Sequence, residues 1–224
     1  MILQKLFMLL RAKPGLTRAQ ALKYLKEHHG PIVLASATLR LRVKKYVQHH
    51  VIDAPSIPQL NSDRDWIVES WVDPDVLLPE PPTAADAILV REDEQKFPDH
   101  ASLVVLEVEP QHVFGADTTS GLQLFLIAKG MAVGDRGFSQ ETRARLEHHA
   151  TGYERNTVAR SLTQAQPEYD SVEILRFKDE AAVKDFFADG ELQMELANLG
   201  VLSSTQHYQS RLLTQAHTVF DFEH

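Results

Sequence analysis

The sequence predicts an α+β fold made of two tandem ferredoxin-like βαββαβ units, and three observations predict it. The chain has 224 residues, long for one small α+β unit and suited to two of roughly 100 residues each. Both halves run through the same order: an apolar strand, a turn, and a capped helix that reaches a His-His pair, His28-His29 and then His148-His149. A split-βαβ sheet carries its helices on one face only. Its other face also needs burial, which a sister sheet in the same chain supplies.

The first half opens with a strand over Leu3 to Leu10. Pro14, Gly15 and Leu16 turn the chain, and Thr17 with Gln20 forms a capping-box pattern at the start of a helix. That helix is expected to run to about His29 and to stop at Gly30-Pro31. Arg42 to Ile52 and Trp66 to Val72 read as the second and third strands, a weaker helix as lying near Thr83 to Arg91, and Ala101 to Glu109 as the fourth strand. Two Pro-rich loops, Ala54 to Pro58 and Leu78 to Pro82, are excursions within this unit.

The second half repeats the scheme. Leu122 to Ala128 is a strand, Gly130 to Gly134 a long loop, and Arg136 to Ser139 a turn ending in a helix cap. The helix continues through His149, and strands follow at Thr157 to Gln164 and Ser171 to Phe177. Asp179 to Leu199 reads as helical with a break at Gly190, and Ser210 to Phe222 as the last strand. The polar, glycine-bearing stretch from Gly115 to Gly121 marks the boundary, dividing the chain into units 1–115 and 121–224.

Composition narrows the function. A net charge of −8 argues against a nucleic-acid partner, because phosphate neutralisation needs clustered Lys and Arg. The densest basic stretch, Arg40 to Lys45, is expected at the solvated edge of the second strand. The apolar N-terminus is interrupted by Lys5 and reads as a strand, not a leader. No run approaches the roughly 20 apolar residues that cross a bilayer, and the absence of Cys excludes disulfides and thiol nucleophiles. A cytoplasmic protein is expected. No His-Glu-x-x-His or similar ligand spacing occurs, so no metal is expected.

Several segments of the first half resemble the EthD-domain family. They are Leu6 to Arg11, Pro14 to Thr17, His28 to Pro31, Tyr46 to His50, and Val68 to Trp71. The second half keeps only the outline, with His149 and Glu173. The resemblance implies a dimeric α+β barrel, here closed within one chain, and leaves open a homodimer of such tandem barrels. Its superfamily includes cofactor-free cyclases and monooxygenases, muconolactone isomerases and some haem proteins.

Strand alternation then assigns faces. Tyr46, Gln48 and His50 share one side of the second strand, and Val43, Val47, His49 and Val51 the other. The second side is more apolar and suits packing under the helices, so the first is expected to line the barrel interior. Ile67, Glu69 and Trp71 align on the third strand, as do Glu173, Leu175 and Phe177 in the repeat, and are expected to point inward as well. Burial in such an interior would raise the carboxylate pKa into a range useful for proton transfer.

These expectations assign His50 and Glu69 as acid/base residues, Tyr46 as an oxyanion or orienting donor and His29 as an auxiliary. Trp71, Gln48, Glu173 and His149 are candidate substrate contacts. His29 lies on the helical stripe of Leu22 and Leu25, and His149 near Leu146, positions where a packed core histidine is the commoner outcome. The function expected is a cofactor-independent isomerase, cyclase or dehydratase, or a monooxygenase, acting on a small hydrophobic carbonyl or aromatic compound. The alternatives are a non-catalytic small-ligand binder or accessory protein, a scaffold whose sheets pack solid, and a haem protein with one axial His.

Overall fold

The structure is a computed structural model that describes residues 2–61, 63–115, 121–129, 138–166, 168–198 and 209–222. The expected Gly130 to Gly134 loop, the first two residues of the Arg136 to Ser139 turn, and the centre of the inter-unit boundary lie outside these residues.

Strand β1 (Gln4–Leu10) leads into helix α1 (Arg18–Tyr24), whose Thr17–Gln20 capping box is formed. The helix does not stop at Gly30-Pro31. It passes through a π-helical turn, Leu25–His29, into α2 (Gly30–Ala35), and after Ser36 into α3 (Ala37–Arg42). Pro31 ends no helix because it falls in the first turn of α2, where its missing N–H has no acceptor to satisfy. The Gly30 N–H reaches back to the Leu25 carbonyl across the widened turn. Gly30 itself is helical and is small for a different reason: a Cβ there would stand 3.2 Å from Gln48 Nε2 on the sheet below. Arg40 and Arg42, expected at a strand edge, therefore lie in a helix.

The remaining elements are β2 (Val43–Val51), β3 (Trp66–Val72), α4 (Ala85–Glu94), β4 (Val104–Gly115), β5 (Leu122–Ala128), α5 (Gln140–His149), β6 (Gly152–Ser161), β7 (Ser171–Phe177), α6 (Glu180–Ala188), α7 (Gly190–Asn198) and β8 (Gln209–Asp221). The eight strands close into one antiparallel barrel in the order β1-β3-β2-β8-β5-β7-β6-β4. Strands β1 to β4 occupy it as β4-β1-β3-β2, and β5 to β8 as β8-β5-β7-β6, so both halves follow the same arrangement. The seams are β2 with β8 and β4 with β6. Each pairs two strands that would otherwise be bare edges. Gly115 ends β4 at φ +82°, and a Cβ there would meet the Thr151 carbonyl oxygen at 2.2 Å, so this corner of the seam admits only glycine.

Closure gives three apolar layers. One lies inside the barrel and includes Phe7, Leu9, Ile67, Leu106, Phe125, Val172, Ile174 and Leu212. Phe7 and Phe125 come from strands on opposite walls, yet their rings meet edge-on with centroids 6.0 Å apart. An eight-stranded barrel is just wide enough to be filled by its own side chains, and in this layer the two rings span it. The second layer packs under α1 to α4 and includes Leu10, Leu25, Val33, Tyr46, Trp66, Val68, Val90 and Phe97. The third packs under α5 to α7 and includes Leu124, Leu146, Tyr153, Leu175, Phe177, Phe186 and Leu192.

The lumen also holds a charged layer. Lys5 Nζ lies 2.8 Å from Glu69 Oε1 and contacts Glu154, and it sits 5.0 Å and 5.1 Å from the ring centres of Phe7 and Trp71. His49 Nε2 is 2.9 Å from the other Glu69 oxygen, and Asn156 Nδ2 donates to Glu154 Oε1 at 2.9 Å. Truncating Phe125 to Ala opens the cross-lumen contact and should destabilise the fold by about 3–5 kcal/mol. Urea unfolding of Phe125→Ala against the parent protein measures this, and a loss below about 1 kcal/mol would contradict a filled lumen.

Candidate active site

The face assignment made from alternation is reversed on β2. Val47, His49 and Val51 point into the lumen, whereas Tyr46, Gln48 and His50 point outward beneath the helices. Every residue from Tyr46 to Val51 is at most 7% exposed. Both faces are therefore cores, and relative apolarity cannot tell one from the other. Val43 departs from the alternation because the β2–β3 register shifts between Val43 and Lys45, which leaves it on the helix side.

Glu69 and Trp71 do face the lumen, so they are separated from His50 and Tyr46 by the thickness of the sheet. The Glu69 pKa is not raised. Burial opposes its charge, but Lys5 and His49 outweigh burial and hold the carboxyl well below the usual glutamate range. In the second half, Glu173 points away from the lumen, contrary to expectation. Its carboxylate accepts from Tyr153 Oη at 2.6 Å and lies 3.4 Å from Arg155 Nε. Burial pushes Glu173 up to about 7, against Arg155 and the Tyr153 hydrogen bond. His149 pairs with Asp189 at 3.2 Å at the rim of α5, far from the first-half group. Gln48 donates to the Leu25 carbonyl at 3.3 Å and so anchors the π-helical turn. His50 contacts Gln48 Oε1 at 3.3 Å and packs on the His217 ring at 4.5 Å.

The cavity with convergent polar groups lies between the outer face of the first-half sheet and its helices. It measures about 230 Å³. Tyr46, Trp66, Val68 and Ser70 form its sheet wall; His29 and Val33 come from the π-helical turn and α2, Glu94 from α4, and Phe97 and His100 from the segment after it. Trp66 stacks on Phe97 with centroids 5.6 Å apart, and Phe97 packs 5.0 Å from the His29 ring. Such a chamber is mostly apolar with few polar groups, as small-molecule sites generally are.

His29 is the polar centre. Its Nδ1 is 3.0 Å from Asp93 Oδ2. Asp93 is buried, and its other oxygen accepts from Tyr24 Oη at 2.6 Å and from Lys96 Nζ at 3.1 Å. Burial works against the Asp93 charge, but those three donors keep its carboxyl below the usual aspartate range. An ionised carboxylate only accepts, so His29 Nδ1 carries the hydrogen and Nε2 keeps its lone pair. Burial lowers the His29 pKa, partly offset by Asp93, so the ring is a neutral base at pH 7. Burial raises both Tyr46 and Glu94. Asp93 and Glu94 were missed because the helix was ended at Arg91. The available signal was a buried stripe Ala87, Val90, Asp93 at helical spacing, where an acid needs a partner. His100 carried no such signal.

Among the described residues, no helix is long and apolar enough to cross a membrane, and no cluster of three or more His, Cys, Asp or Glu is placed to hold a metal ion. The chain superposes on an anthrone oxidase-like protein with a TM-score of 0.58 at 10% identity, covering 98% of this chain and 94% of the other. It also superposes on a protein from Fusobacterium nucleatum subsp. nucleatum ATCC 25586, provisionally assigned as a monooxygenase, with a TM-score of 0.53 at 8% identity, covering 96% and 93%. At these identities the likeness is one of fold, the dimeric α+β barrel. No family model and no curated protein matches the chain, so the resemblance to EthD proteins rests on the segments quoted above.

The buried histidines make stability depend on pH in a defined direction. Burial first, then His217 and Lys26, lower the His50 pKa from 6.5 to about 3. A histidine depressed in the folded state takes up its proton more readily when unfolded, so stability is full above about pH 6.5 and falls as pH drops toward 3. Replacing His50 with Gln should flatten the slope of unfolding free energy against pH in that window, by up to about 1.4 kcal/mol per pH unit. Parallel slopes for the two proteins in denaturant titrations from pH 7 to 4 would contradict the assignment.

Proposed function

We propose that the chain is a small-molecule enzyme whose first-half cavity binds an apolar carbonyl or aromatic compound and moves a proton with His29 as base. The observation that carries this is the His29–Asp93 pair, a neutral imidazole with Nδ1 tied to a buried carboxylate, on the wall of an apolar chamber. Its Nε2 makes no hydrogen bond among the described residues. Tyr46 and Trp66 shape the chamber, while Glu69, Trp71 and His50 support the fold. Isomerisation, cyclisation or dehydration would each begin with the abstraction His29 is placed to make. The names of the structural neighbours favour a monooxygenase as a second possibility, in which the same abstraction precedes reaction with dioxygen.

We further read the two halves as fused ferredoxin-like units, 1–115 and 121–224, of EthD-like type, because the strand order repeats. The chemistry proposed uses no cofactor. A chamber of about 230 Å³ suits a bicyclic ring and is too small for a porphyrin. The partner proposed is therefore a small hydrophobic molecule; a homodimer of barrels remains compatible with this.

The test is base-catalysed exchange of the α-protons of 2-tetralone in D₂O, followed by NMR. The protein should accelerate exchange, His29→Gln should lose at least about 100-fold, and Asp93→Asn a smaller factor. Acceleration that survives His29→Gln would remove His29 as the base. Binding of the ketone without any acceleration would make the chain a binder. Oxygen uptake with an oxidisable aromatic substrate would select the monooxygenase.

A further inference from the structure

Glu94 has no part in the His29–Asp93 pair, yet its placement is specific. It is the last residue of α4 and follows Asp93 directly. Successive helical residues point about 100° apart, so Asp93 turns to His29 while Glu94 turns to the cavity. The chamber adjoins a larger cleft of about 410 Å³, and Leu39, Val90, Glu94, His100 and Leu103 line both. Glu94 thus stands at the constriction between an inner apolar room and an outer, more polar one.

The surroundings leave its carboxyl available. It makes no hydrogen bond and no ion pair among the described residues, whereas its backbone carbonyl is held at 2.9 Å by His100 Nε2. The titratable and charged groups around it are Arg91 and Asp93 on α4, Glu80 on the Pro-rich strap, His100 after α4, Tyr46 on β2, and His29 on the facing cavity wall. Arg91 is already paired with Glu80 at the outer cleft, and among the described residues no other Lys or Arg lines it to hold an anionic substrate. Burial raises the Glu94 pKa, which His100 and Arg91 only partly oppose, so the acid holds its proton more tightly than an exposed glutamate. A base and an acid of opposite bias in one site are the pattern of acid/base assignment.

Resting on the proposed function above, we propose that Glu94 donates a proton to the substrate oxygen while His29 removes one from carbon, so the substrate is an uncharged, enolisable ketone. Its ring occupies the inner chamber against Trp66 and Phe97, its carbonyl oxygen lies at the constriction, and any extension with neutral hydrogen-bonding groups lies in the outer cleft. In the step, His29 Nε2 takes the α-proton and the C–H electron pair becomes the C=C bond. The carbonyl π pair moves to oxygen, which takes the Glu94 proton. The products are the enol, imidazolium and carboxylate. Return of a proton from His29 to carbon and from the enol oxygen to Glu94 restores both groups and gives exchange or an isomer.

The experiment combines 2-tetralone binding, read by tryptophan fluorescence from pH 5 to 9, with the exchange assay. The ketone oxygen only accepts, so binding to the parent protein should weaken as pH rises and Glu94 ionises. Glu94→Gln keeps a donor but cannot release a proton. It should bind the ketone with little dependence on pH and exchange it at least about 30-fold more slowly. Glu94→Asp, an acid retracted by one methylene, should retain part of the exchange activity and the pH dependence, which a purely packing role would not produce. Parent-like exchange and an unaltered binding profile in Glu94→Gln would overturn the role of Glu94 and leave His29 as base. Absence of exchange in the parent protein would overturn both assignments.

Discussion

Closing eight strands into one barrel is the constraint on which the rest depends. Once β2 meets β8 and β4 meets β6, both faces of the sheet are enclosed, one by the opposite wall and one by helices. The inner space is then only as wide as two facing side chains. Phe7 and Phe125 use that width, and Lys5, Glu69 and Glu154 meet inside the same barrel from neighbouring strands of one wall. Burying those charges is tolerable only because they are paired with one another inside the lumen; removing one partner would leave the others buried and uncompensated. With the lumen spent on stability, space for a small molecule lies on the other side of the sheet.

The first half makes that space with a local irregularity. The π-helical turn at Leu25–His29 carries the helix past Pro31 and lays His29 onto the sheet-facing side, with the Leu25 carbonyl caught by Gln48 from below. Insertions of this kind recur at functional sites. Asp93, Tyr24 and Lys96 then orient the imidazole from α1, α4 and the turn after it. The second half has a regular α5 in the corresponding place. Phe177, Phe186, Phe187, Leu192 and Leu196 pack beneath its helices, and Glu173 is tied to Tyr153 and Arg155. Equal strand order thus supports unequal side-chain arrangements in the two halves.

Much of the fold was legible because its signals are local. The Thr17–Gln20 box, the Ser139 cap, the helix start at Asp179 and the break at Gly190 are all present as expected. Less of the site was legible. Gly30-Pro31 has the form of a helix stop, yet a wider turn takes the chain through it. The contrast between Val47 and Tyr46 as apolar and polar neighbours pointed β2 the wrong way round. Glu69 was expected to be a perturbed acid, and Lys5, which interrupts the apolar first strand, carries no local sign that it meets Glu69 in the lumen. His29 was recognised, but not as the centre, because Asp93 is 64 residues away.

By itself the sequence determined most of the strands and helices and the set of histidines and acids from which a site is drawn. Each of these follows from spacing within a few residues. Tertiary structure decided which face of β2 is the lumen, that Phe7 and Phe125 meet across it, and that His29, Asp93 and Glu94 converge. The physical reason is that alternation with period two separates two faces without naming them. When both faces are buried, only closure of the barrel and the seating of the helices determine which side chains meet.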